Sequence, residues 1–369
     1  MSIRPALDAF FAVPRRGTDV HALTGLRGAA VFLVFCTHFV SLAESALSAT
    51  SVTKEVAHVL AIAGDTGVDL FFVLSGYLIY GGLLTRRTSF RSHLRRRARR
   101  IYPVFVVVLG IYLVLAMLLP NLGKLPVDRA DAFAYVVANL LLLPGVFPIT
   151  PIITVAWSLS FEALFYLTVP LVAHGFDLQC RTSSQRSTGL VGLALGIGLG
   201  VGGTSSAHAR LVMFVVGMLA FELASRDWSW RLPSGFVSGV LTLFGVVVGA
   251  RGEMGLLWHY GVLSLGFLLM CLEALRAGSP TALALAWSPL RWLGAMSYSY
   301  FLIHGLAANA LVAALRLLAP EFIGHELGFW LALTVTFVWT LVPAATLFAL
   351  VEKPWSFPMS TGSASASSR

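Results

Sequence analysis

The sequence predicts an all-α fold: a polytopic membrane bundle of about ten transmembrane helices, with a re-entrant or interfacial segment near 133–145. Three observations predict it. Of 369 residues, 57% are hydrophobic and only 12% are charged, about half the charged share of an ordinary soluble domain. Apolar runs long enough to cross a bilayer recur from one end to the other. The basic residues fall in the intervening loops, and mostly on one side of the membrane once the spans are drawn.

The spans run, in order, over 22–43, 59–82, 101–119, 156–174, 189–204, 208–225, 233–250, 256–275, 292–318 and 328–351. The run "FAYVVANLLLLPG" at 133–145 is short for an eleventh. With the N-terminus in the cytoplasm, the inner segments hold Arg4, Arg15, Arg16, eight arginines between 86 and 100, and then Arg181, Arg186, Arg226, Arg231, Arg276, Arg291 and Lys353. The outer loops hold only Lys54, Lys124, Arg129 and Arg251. An even number of spans puts both termini in the cytoplasm. No cleavable signal is expected, because residues 1–20 carry prolines and arginines and lack an apolar core. The closing "STGSASASSR" is small and polar, and is expected to be disordered.

The net charge of +9 is accounted for by orientation in the membrane, so it gives no case for nucleic acid. Cys36, Cys180 and Cys271 are widely spaced and show neither a disulfide framework nor metal-ligand spacing.

Against this background the polar residues inside spans stand out, since a charge in hydrocarbon needs a partner or a task. "GDTGVDLFFVLSGYLIY" (64–80) carries Asp65, Asp69, Ser75 and Tyr77. Asp69 is expected to pair with Arg27 of the first span, and Gly76 to let a neighbouring helix come close. "LTGLRGAAVFLVFCTHF" (23–39) holds Arg27 and His38. Histidine titrates near neutrality and suits base catalysis. Counting helical rise places His38 about 24 Å up its helix and Glu162 of "TVAWSLSFEALFYLTVP" roughly 9 Å below the outer end of the fourth span. The two are therefore expected at similar depth, with Glu162 orienting His38 or stabilising its charged form; a buried structural acid is the plainer reading of Glu162. "RSHLRRRARRIYP" (91–103) holds Arg96, Arg97, Arg99 and Arg100. An orientation signal at lipid headgroups explains much of this cluster. Arginine forks also grip phosphate oxygens, so the four at a cavity mouth could hold a phosphate-rich donor such as coenzyme A, and Arg97 and Arg100, three apart, can both face one ligand. "GAMSYSYFLIHGL" (294–306) contributes His304, a structural hydrogen bond being the alternative to a role at a site; "VEKPW" is expected to end the last span with a Glu352–Lys353 ion pair.

Six of these pieces, "LTGLRGAAVFLVFCTHF", "GVDLFFVLSGYLI", "RRRARRIYP", "WSLSFEALFY", "YSYFLIH" and "VEKP", occur in the order found in the integral-membrane acyltransferase-3 family, which the chain resembles from about residue 20 to 356. The resemblance implies a cytoplasmic segment 1–20, a transmembrane acyltransferase domain 21–356 and a cytoplasmic tail 357–369. It implies O-acylation: an acyl group, usually acetyl, moves from acetyl-CoA or another acyl-CoA to a hydroxyl, with no metal. The acceptor would be a carbohydrate, a glycolipid or a macrolide-like molecule, and membrane lipids the surroundings, at the bacterial inner membrane. His38 matches the family's essential histidine, Arg97 and Arg100 its R-x-x-R pair linked to the donor, and Glu162 the acid of its W-S-L-x-x-E motif. Two positions depart from the pattern: Thr24 stands where Asp is common, and Ala163 where a second acid is common. A mechanism that needs both acids does not follow for this chain. The added hydrolase-like domain of larger relatives is not expected. The rival reading is a transporter or flippase of such an acceptor, but no two related halves are visible.

Overall fold

The computed structural model describes residues 4–11, 21–86, 89–119, 123–201, 206–226, 235–251 and 256–356. The tail at 357–369 and most of segment 1–20, Arg15 and Arg16 included, lie outside the described residues, as do Arg87 and Arg231. Among the described residues the chain is helical, with no strand. Seven helices among the described residues are long and apolar enough to cross a membrane. Three more, α7 (Ser183–Val201), α9 (Leu211–Ala224) and α10 (Gly235–Arg251), stand where the other spans were expected but do not meet that measure. The expected segment near 133–145 forms α5, Arg129–Leu140. Its twelve residues reach only about 18 Å, too short to span. Asp128 caps it, accepting from the backbone N–H groups of Ala130 and Asp131.

The site rests on α2 (His21–Ala43), α3 (Val52–Thr85), α4 (Phe90–Leu118), α6 (Ala156–Gly175) and α14 (Ser297–Leu318). Hydropathy alone offers no drive for helices to associate in lipid, so small residues and polar contacts decide the packing. Gly76 of α3 meets α9 so closely that a Cβ there would lie 2.1 Å from the Phe214 carbonyl oxygen. Gly217 of α9 returns the contact, its Cβ position falling 1.9 Å from the oxygen of Val73. The expected close approach at Gly76 is therefore made, and made from both sides.

Buried polar groups fix the rotation of α3. The ion pair expected between Asp69 and Arg27 is not formed. Arg210, the residue preceding α9, takes Asp65 in a direct ion pair and lies 3.7 Å from an oxygen of Asp69. Its guanidinium also stands 5.5 Å over the Trp157 ring. Asp65 and Asp69 are four apart and share one face of α3, and that face turns toward α9, away from Arg27. Three turns further on, Tyr80 donates to Glu222 of α9 at 2.7 Å, and Arg186 of α7 forks onto both oxygens of the same carboxylate at 2.5 and 3.0 Å.

The Glu352–Lys353 pair is not formed either. The last turn of α15 (Glu326–Leu347) widens into a π-helical stretch, Phe348–Glu352. It turns Glu352 inward, where the carboxylate accepts from the N–H of Ser299 at 3.0 Å and its hydroxyl at 2.6 Å. The first N–H groups of α14 have no intrahelical partner, so a carboxylate there is favourable. Lys353, next in sequence, points elsewhere and donates to the Phe10 carbonyl at 2.7 Å.

Candidate active site

Two chambers lie along α2, one at each end of the residues singled out by the sequence. The first has a volume of about 60 Å³ and is bordered by Arg27, Arg100, Glu162, Tyr166, Ser75 and Tyr298, among others. Four helices beyond α2 deliver these groups. The arginine-rich stretch is the opening of α4, capped by Ser89, and not a loop. Helical spacing therefore sorts the cluster: Arg97 and Arg100 turn inward and are half-buried, while Arg96 and Arg99 are exposed on the other face. Of the four arginines, the inward pair is the one that faces the chamber. Arg97 stacks 5.0 Å over the ring of Tyr166. Glu162 accepts two hydrogen bonds on one oxygen, from Ser75 at 2.8 Å and from Tyr166 one turn along α6. Arg27 stands within electrostatic reach of Arg100, Glu162 and Arg97. Neither Arg27 nor Arg100 has an ion-pair partner among the described residues.

The second chamber is larger, about 430 Å³, and His38 borders it together with residues of α4, α14 and the loop before α6. That loop is held by Asn139, whose side-chain oxygen accepts from the N–H of Ile152 at 2.8 Å. The chambers come close on α14, where Phe301 borders one and its neighbour Leu302 the other. Phe301 also packs edge-on against Phe71 at 5.8 Å.

Histidine geometry fixes the tautomers. His304 is fully buried, and its Nδ1 faces the carbonyl oxygens of Tyr300 at 3.0 Å and Phe301 at 2.9 Å. Only an N–H satisfies two acceptors, so the proton sits on Nδ1 and the lone pair on Nε2. That Nε2 lies 3.5 Å from His38 Nδ1, which also faces the Val34 carbonyl at 2.7 Å. His38 thus carries its proton on Nδ1 and keeps its Nε2 lone pair for other work. The rings meet edge to face, 5.0 Å apart.

The expected pair of His38 and Glu162 is not formed. Val155 borders the His38 chamber, and Glu162 lies seven residues, about 10 Å, further along α6. It shares its chamber with Arg27, which is eleven residues, roughly 16 Å, back along α2 from His38. The bond that orients His38 is the one to the Val34 carbonyl, and the side chain beside it is His304. Sequence supplied His304 as a candidate but not the pairing, because the two lie 266 residues apart. Tyr77 packs on Phe221 at 5.7 Å and Asp69 on Arg210, so both support the fold outside the chambers. Tyr166 was missed; a tyrosine four residues after Glu162 on one helix was the available signal. No group of three or more metal-ligating side chains occurs among the described residues.

A family model described as an acyltransferase domain matches residues 20–349. Among curated relatives, the acyltransferase MdmB of Streptomyces mycarofaciens is 30% identical over 163 residues, 43% of this chain and 40% of that protein. The exopolysaccharide production protein ExoZ of Rhizobium meliloti is 35% identical over 109 residues, 28% of this chain and 32% of that protein. The O-acetyltransferase OatA of Staphylococcus aureus is 28% identical over 280 residues, 65% of this chain and 45% of that protein. The chain thus spans less than half the length of these relatives. No solved structure matches it.

Proposed function

The chain belongs to the acyltransferase-3 family, and on that premise we propose that it is an integral-membrane O-acyltransferase that moves an acyl group, acetyl in the simplest case, from acyl-CoA to an acceptor hydroxyl. The observation that carries the proposal is the pair of chambers on α2, one cationic and one holding a histidine with a free lone pair. The donor's phosphates lie at the cationic end, against Arg97, Arg100 and Arg27. About 16 Å separates Arg27 from His38 along the helix, of the order of an extended pantetheine arm, so the thioester reaches toward His38. The acceptor hydroxyl enters from the other chamber.

His38 Nε2 takes the hydroxyl proton as the oxygen attacks the thioester carbonyl. The new C–O bond forms, the C–S bond breaks, and the proton passes from His38 to the departing thiolate. The Val34 carbonyl, with His304 beside it, holds His38 in the working tautomer. Glu162, gripped by Ser75 and Tyr166, offsets part of the repulsion among the arginines and is a neighbour of the donor, not of the base. In this reading the arginine end faces the cytoplasm at a bacterial inner membrane, with both termini on that side, and no nucleic acid is involved.

His38→Ala tests it. The variant should insert, bind acetyl-CoA as the unaltered protein does, and lose acceptor acylation by about 10²-fold or more, the usual contribution of a positioned base. Near-normal acylation in that variant overturns the assignment.

A further inference from the structure

The walls of the His38 chamber describe its ligand. They are built mostly of aliphatic side chains, with Leu42, Leu113, Ile152, Val155, Leu302 and Leu306 among them. The polar groups on its border are His38, Ser41, Tyr112, Lys124, Thr154 and Asn309, fewer than the apolar ones. His38 is half-buried, while Ser41, Thr154 and Asn309 are exposed. The one charged residue of the lining, among the described residues, is Lys124, also exposed, which donates to the Pro151 carbonyl at 3.0 Å. No carboxylate of the described residues borders the chamber.

A bare sugar chain does not suit these walls. Each of its hydroxyls has a donor and two acceptor sites to satisfy, and leucine and isoleucine satisfy none. A site of about 430 Å³ is roomy enough for a molecule of drug-like size. With Lys124 at its border and no acid to balance it, the chamber also disfavours a cationic ligand. Resting on the acyl transfer proposed above, we infer that this chamber is the acceptor site and that the acceptor is amphipathic: a hydroxyl-bearing polar end presented to His38, on an apolar, non-cationic body lying along the leucines of α4 and α14. The acyl group is then added to one end of an amphiphile, before or apart from any assembly into a polar polymer.

Gly305 gives access to the chamber without disturbing it. It borders the space, and a Cβ built there meets nothing within 4 Å. Gly305→Cys therefore places a thiol against the ligand at little structural cost. The native Cys180 is exposed, lies in the turn after α6 and borders neither chamber, so it serves as an internal control. Cys36 and Cys271 are buried.

The experiment measures maleimide labelling of each cysteine by mass spectrometry in nanodiscs, with three probes. Glucose is the head alone, octyl β-glucoside a soluble amphiphile, and glucosyl diacylglycerol an amphiphile carried in the bilayer. At ten times the dissociation constant, a bound probe slows labelling roughly tenfold. In the Gly305→Cys variant, protection of the introduced thiol by either amphiphile, with none from glucose and none at Cys180, is the expected result, and the arm that protects identifies the source of the ligand. Equal protection by glucose, or no protection by any probe, overturns the inference. Asn309→Cys, exposed at the border of the same chamber, repeats the measurement should Gly305→Cys insert poorly. Acetyl-CoA binding is read in the same samples. If it is intact while the amphiphiles fail to protect, the acceptor inference falls and donor binding stands. If the unaltered protein does not bind acetyl-CoA, the transfer reading itself falls.

Discussion

Arg97 and Arg100 turn inward on α4 while Arg96 and Arg99 turn out, and this gives a test that separates a donor site from an orientation signal. The perturbation is a pair of double substitutions, Arg97→Lys with Arg100→Lys, and Arg96→Lys with Arg99→Lys. Both keep every positive charge, so both keep the basic residues that orient the protein. Lysine is a point charge and cannot reproduce the planar fork that grips two phosphate oxygens at once. It also loses the flat stack that Arg97 makes on Tyr166. A hydrogen bond to a charged group is worth about 1.5–3 kcal/mol. Losing the equivalent of one raises the dissociation constant roughly tenfold to a hundredfold, since about 1.4 kcal/mol is a factor of ten. Isothermal titration of acetyl-CoA into nanodisc-held protein reads the change. The inner pair should weaken binding by that amount and the outer pair should leave it within about twofold, because exposed surface charges contribute little. If both pairs weaken binding equally, or neither does, the chamber bordered by Arg27 and Arg100 is not where the donor's phosphates lie.

Two further outcomes follow from the buried contacts. Replacing Arg210 by Met leaves Asp69, 1% exposed, without its counter-ion. Breaking such a buried pair costs about 3–5 kcal/mol, and adding Asp69→Asn should recover much of the lost thermal stability; a double variant no more stable than Arg210→Met would show that the pair does not hold α3 to α9. His304→Leu should lower kcat by roughly tenfold or more, within the range of acid–base assistance, with the KM for acetyl-CoA unchanged and with partial rescue by His304→Gln, whose amide can still meet His38 Nδ1. An unchanged kcat, or a loss that Gln does not rescue at all, would make His304 a packing residue only.

Helices were legible because each is written in consecutive residues, and helical structure stands at every expected span. The inward pair of arginines was legible for the same reason, since three residues on a helix return to the same face. Contacts between helices were legible only where one residue type forces them, as Gly76 does. Partners were not. Asp69 has the right neighbour type in Arg27, but its helix is rotated by the Gly76 contact so that its acids face Arg210, 145 residues from Asp65. Glu162 was placed beside His38 by counting rise from assumed membrane boundaries. The helix does start at the expected residue, Ala156, but Val155 just before it already shares a chamber with His38, so Glu162 lies past His38. Glu352 and Lys353 are adjacent in sequence, yet the π-helical turn sends them to different partners.

The partnered charges explain why the cationic chamber can act as a binding site at all. A buried charge is tolerated only if something neutralises it. Against α9 the account closes locally: Arg186 meets Glu222, and Arg210 meets Asp65 and Asp69. These pairs, with the Gly76–Gly217 crossing between them, pin α3 against α9 at three heights. Pinning α3 fixes Ser75, and Ser75 with Tyr166 fixes Glu162. Inside the chamber the account does not close. Arg27, Arg97 and Arg100 stand near the carboxylate of Glu162, one oxygen of which takes two hydroxyl donors, and Glu352 lies within electrostatic reach of Arg27 and Arg100. Three positive charges thus face two carboxylates, and among the described residues none of the three arginines forms an ion pair. In the proposed reading an anion makes up the difference, and a donor bearing several phosphates at the end of a flexible thioester arm would do so while pointing its reactive carbon along α2 toward His38.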